Sequence, residues 1–93
     1  MVVYMKKSYS KQSTSYVETG HKLYADLEVA KAEIRRYITD ILSCTEKAGV
    51  PSDASEKENI NDTLLYKAEV YFISKLDGSK IEERFTITKE TVY

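Results

Sequence analysis

Apolar side chains recur at three- and four-residue spacing between Asp26 and Ala48. Leu27, Ala30, Ile34, Ile38, Ile41 and Leu42 share one side of a helix. Glu28, Lys31, Glu33, Arg35, Arg36, Asp40 and Lys47 fall mostly on the other, as on a solvated face. Asp26 is placed to accept from the free N–H groups of the first turn. Gly49 suits the left-handed closing residue, and Pro51 cannot continue the helix. The pattern predicts one long amphipathic helix over Asp26 to Ala48, and Leu23 would extend its stripe upstream. Such a stripe needs cover from a sheet or a second chain.

The C-terminal third changes period. Leu64, Tyr66, Ala68, Val70 and Phe72 alternate, and so do Ile81, Phe85 and Ile87. Asp77-Gly78 lies between them and suits a two-residue hairpin turn. Pairing Leu76 with Ser79 would set Val70 opposite Phe85 and Ala68 opposite Ile87. A four-residue loop pairing Leu76 with Ile81 preserves the same faces. The C-terminal strand is a candidate sheet edge, open to another chain.

At the N-terminus, Val2 to Tyr9 is β-prone and Ser10 to Ser15 is a polar loop. Ser15-Tyr16-Val17-Glu18 fits a short strand turning at Gly20, and also fits a helix capping box. The strand is preferred, because glycine is costly inside a helix. Residues 52–62, with Asp53, Glu56, Glu58 and Asp62 against Lys57, read as an acidic flexible loop. The expected fold is a single α+β domain over residues 1–93. Its element order is β-(β)-α-β-β, with the helix packed on a small antiparallel sheet.

Composition narrows the class. With 42% apolar and 31% charged residues, the chain is expected to fold around one modest core. No segment resembles a membrane span or a signal peptide, so a cytoplasmic protein is expected. The net charge is −1, unevenly placed: residues 1–24 hold Lys6, Lys7, Lys11 and Lys22 against Glu18 alone. Candidate chemistry is sparse. His21 has no orienting carboxylate and nucleophile around it and reads as a surface histidine. Cys44, the single cysteine, reads as a small buried residue of the helix. The three glycines are isolated and form no phosphate loop. No enzyme activity, cofactor or metal is expected.

Two features point to binding. The outer face of the C-terminal hairpin carries Leu65, Tyr71, Ile73 and Val92, apolar and aromatic groups on a nominally exposed surface, among Lys67, Glu69 and the candidate interface residue Arg84. The N-terminal stretch mixes Lys6, Lys7 and Lys11 with Tyr9 and Tyr16, as a phosphate-and-stacking site would. The leading expectation is a small non-catalytic protein-binding domain, a regulator or inhibitor that occupies a partner's surface or dimerises through the outer hairpin face. Domains of this kind are often carried by phages or mobile elements. The acidic loop would steer it to a basic partner. Nucleic-acid binding through the N-terminal stretch, or a structural role in a larger assembly, are the alternatives. A basic stripe continuing from residues 1–24 onto the rest of the domain would favour nucleic acid, and the sequence shows none.

Overall fold

The computed structural model describes residues 1–92; Tyr93 lies outside them. Among these residues the elements run β1 (Val2–Gln12), β2 (Ser15–Tyr24), α1 (Leu27–Ala48), β3 (Ser52–Glu58), β4 (Leu64–Ile73) and β5 (Lys80–Thr91). The strands form one antiparallel sheet in the order β2-β1-β5-β4-β3. The α+β class and the helix-on-sheet arrangement are as expected. An additional strand, β3, separates the helix from the C-terminal hairpin.

The helix ends follow local chemistry. Asp26 is extended at φ −123° and its Oδ1 accepts the Glu28 N–H at 2.8 Å. Gly49 closes the helix at φ 72°, donating to the carbonyls of the last turn. Ala30, Ile34 and Ile38 then meet the inward residues of the sheet. Tyr24, Tyr66, Ala68, Val70, Phe85 and Ile87 complete the buried core. Leu23 does not extend the stripe: it lies on β2, half exposed. Cys44 is exposed rather than buried.

The N-terminal hairpin is tighter and longer than its composition suggests. Gln12 pairs with Ser15 across a two-residue turn, with Ser13 in the left-handed region at φ 59°. The polar run from Ser10 therefore belongs mostly to strands. Gly20 is not a turn. It pairs with Ser8, while Tyr9 pairs with Glu18, so Thr19 is the extra residue of a bulge.

The C-terminal hairpin forms in a different register from either expected one. Ile73 pairs with Lys80, which sets Ala68 opposite Phe85 and Tyr66 opposite Ile87. The shift is two residues, so every side chain keeps its face. The loop is wider because Gly78, at φ 73°, donates to the Ser74 carbonyl, and Asp77 Oδ1 accepts from Ser79 N–H and hydroxyl. Asp77-Gly78 thus closes a longer turn. Strand β5 is not an edge. It lies at the centre between β1 and β4, and the edges are β2 and β3.

Residues 52–62 correct the sequence reading most. Ser52–Glu58 is an ordered edge strand, and only the following residues turn, with Asn61 Oδ1 accepting from Thr63 and Leu64 N–H. Strand β3 is bound to the helix by polar groups. Lys31 Nζ donates to Glu58 Oε1 at 2.7 Å, and Arg35 Nε to Glu56 Oε2 at 3.1 Å. The Tyr66 hydroxyl adds a 2.6 Å bond to Glu56. The Thr45 and Ser52 hydroxyls meet at 2.6 Å.

These contacts make stability acid-sensitive. Arg35 holds the Glu56 carboxyl below its ordinary 4.5, and Lys31 does the same for Glu58. Their stabilisation is fully present above the unfolded value and is lost as pH falls through the lowered folded values. The urea midpoint is expected to fall between about pH 6 and pH 3, and to fall less in Glu56→Gln/Glu58→Gln. Equal acid sensitivity in both proteins would exclude this origin.

Candidate protein-binding face

Alternation divides each strand between two faces. On β1, Tyr4 packs on the core and Lys6 reaches Glu33 of the helix at 3.8 Å. Lys7, Tyr9 and Lys11 therefore point to the opposite face. Among the described residues, no element covers that face. The expected cluster of Lys6, Lys7 and Lys11 is split: Lys6 sits on the helix side, 5.6 Å from the Tyr24 ring centre.

Strand order then joins groups that the sequence keeps far apart. Tyr9 is opposite Arg84, Arg84 opposite Glu69, and Glu69 opposite Ser55. The adjacent row brings Tyr16 beside Lys11, and Tyr71 between Glu82 and Asp53. The N-terminal basic–aromatic residues and the hairpin interface residues thus share one surface. Ile73 lies at its end, opposite Lys80. Leu65 falls at the register irregularity near the start of β4.

Charge is dense here and mostly balanced. The Arg84 guanidinium stacks 3.9 Å from the Tyr16 ring centre and lies 3.5 Å from Glu69. Its Nε is shut off from solvent without an acceptor. Lys11 and Lys80 approach Glu82 at 3.1 and 3.2 Å and hold its carboxyl below the ordinary range. Lys80 also covers the Tyr71 ring at 4.5 Å. Between the rings lies a cleft of about 150 Å³, bordered by Tyr16, Asp53, Ser55, Glu69, Tyr71 and Glu82.

A third row runs across the whole face: His21, Lys7, Thr86, Lys67 and Lys57, on β2, β1, β5, β4 and β3 in turn. Lys57 and Lys67 are directly opposed, an arrangement that costs stability. The basic stripe that sequence reading did not find is therefore present, built from strands distant in the chain.

The acidic residues do not form one steering loop. Asp53 borders the open-face cleft, Glu56 and Glu58 are paired with the helix, and Asp62 lies in the turn before β4. His21 is exposed, 3.6 Å from Glu18. Among the described residues, no group of His, Cys, Asp and Glu side chains is placed to hold a metal ion. No helix is long and apolar enough to cross a membrane. Sequence reasoning missed Lys57 and Glu82 on this surface. Period-two alternation gives the face within each strand, but strand order decides which residues meet.

No family model, no curated protein and no solved structure matches the chain.

Proposed function

We propose that the protein is a small non-catalytic binding domain that occupies a protein partner's surface with its open sheet face. The observation that carries this reading is the convergence of Tyr9, Tyr16, Tyr71 and Arg84 on an uncovered face. Tyrosine and arginine are the side chains most often found at the energetic centre of protein interfaces. Their mixture with near-balanced charge suits a protein surface better than a polyanion, whose phosphates would meet Glu69 and Glu82. A regulator or inhibitor acting by such occupation is the role we assign. It would bury Tyr71 and Ile73 and order the charged groups around them.

The row containing Lys7, Lys67 and Lys57 favours a second reading, in which a single-stranded nucleic acid lies across the strands. One set of variants separates the two. A partner is isolated on the immobilised domain, identified, purified and titrated back. Tyr71→Ala/Ile73→Asp is expected to lose at least tenfold in affinity while its circular dichroism spectrum stays native. Lys7→Ala/Lys57→Ala/Lys67→Ala should change it less. Undiminished partner binding by the Tyr71/Ile73 variant would exclude the face. Salt-sensitive binding of a labelled oligonucleotide, lost in the triple lysine variant, would establish the second reading instead.

A further inference from the structure

The cleft on the open face is bordered by charge of one sign. Asp53, Glu69 and Glu82 line it with Ser55, Tyr16 and Tyr71, and among the described residues no lysine or arginine does. Its floor is the paired backbone of Ala54 and Val70, whose side chains turn to the core. At about 150 Å³ it has the size of a cavity that holds benzene, room for one side-chain head but not for a length of chain.

The three carboxylates are not equally occupied. Lys11 and Lys80 hold Glu82, and Lys67 and Arg84 hold Glu69. Asp53 has no ion-pair partner among the described residues; its Oδ1 accepts only the N–H of the next residue, Ala54, at 2.8 Å. It is exposed on the edge strand, where the sheet offers it no further neighbour. A cation seated in the cleft would meet Asp53 together with the cleft-facing sides of Glu69 and Glu82. The chain's own cations stand outside the cleft, farther from that seat and screened from it by water.

The spread of acceptors selects among cations. An ammonium presents its donors from a single point, whereas a guanidinium spreads its N–H groups around a plane and reaches several carboxylates at once. A guanidinium with its last methylene is slightly smaller than benzene, so it fits the space. Its flat face also packs on aromatic rings, as this chain's own Arg84 does on Tyr16. From this match of size, charge and donor geometry we infer that the cleft receives an arginine side chain of the protein partner, its guanidinium donating to Asp53, Glu69 and Glu82. The inference rests on the open-face reading and adds to it the side chain by which the partner is recognised.

The test is a titration of N-acetyl-arginine amide into the isotope-labelled protein, followed by backbone amide shifts in NMR spectra. Saturating shifts are expected at Asp53 to Ser55 and at Glu69 to Tyr71, with a Kd of the order of millimolar. The lysine analogue should bind about threefold more weakly, and the citrulline analogue, alike in shape but uncharged, should leave these amides unmoved. Asp53→Asn should weaken the arginine probe about fivefold, whereas Asp62→Asn, the same charge change in the turn before β4, should not. Both positions are exposed, and native circular dichroism checks that each variant folds. Shifts that fall elsewhere or never saturate would overturn the inference, as would equal binding of the citrulline analogue or equal effects of the two variants. The purified partner separates this inference from the reading beneath it. A partner lost by Tyr71→Ala/Ile73→Asp but indifferent to Asp53→Asn overturns the arginine and keeps the face; one indifferent to both removes the face as well.

Discussion

Tyr66→Ala is expected to lower the unfolding free energy by about 4 kcal/mol, the middle of the range for truncating a buried aromatic. The ring is fully buried near the start of β4, on the helix-covered face of the sheet. Its hydroxyl is bonded to Glu56 at 2.6 Å, with the Arg35 guanidinium 5.6 Å from the ring centre. Truncation removes the packing of the ring and one partner of the carboxylate that ties β3 to the helix. A chain of 93 residues has roughly 5–14 kcal/mol in all. The expected loss is therefore a large share, and corresponds to a fall in Tm of about 16–30 °C. Tyr66→Phe keeps the ring and should cost only about 1 kcal/mol, because Glu56 retains Arg35. Urea unfolding followed by circular dichroism measures both. A loss below about 1 kcal/mol for the alanine variant would mean that this ring is not central to the core.

Tyr66 also marks how far the sequence could be read. Its place in an alternating run gave its inward face, and the run from Leu27 to Leu42 gave the helix that covers it. Both signals are periodic burial, which a single chain displays directly. Strand β3 was illegible because only Ala54 among its residues packs on the core as an apolar group. It is retained by Glu56 and Glu58 reaching Arg35 and Lys31, contacts without a period. The hairpin register was misread for a related reason. Alternation fixes a register only to within two residues, and the wider turn is set by side chains of Ser74, Asp77 and Ser79.

The open face shows the same limit at a larger scale. Tyr71 and Arg84 were visible as outward residues of the C-terminal hairpin, and Tyr9 and Lys11 as an N-terminal basic–aromatic stretch. They read as rival sites because nothing local says that β1 lies against β5. Once β5 is central, Tyr9 stands directly opposite Arg84 and the rivals become one surface. The same placement builds the basic row from Lys7, Lys57 and Lys67, none of which is adjacent in sequence.

Ile34→Ala tests the opposite side of the sheet, and is expected to cost about 3 kcal/mol. Ile34 is 1% exposed at the middle of the helix. Alanine is the better helix former by a few tenths of a kcal/mol, so intrinsic propensity opposes the loss and cannot cause it. What remains is the cavity left by three carbon atoms between helix and sheet. Val29→Ala, five residues upstream and half exposed, provides the control and should change stability by less than about 0.5 kcal/mol. Because one helix covers the inner face, the loss should appear as a shifted urea midpoint with an unchanged slope, the mark of a single cooperative unit. Partner binding per folded molecule should be unaffected, since Ile34 lies behind the sheet and Tyr71 in front of it. Equal effects from Ile34→Ala and Val29→Ala would show that the helix is held by its ends and its ion pairs rather than by its apolar stripe.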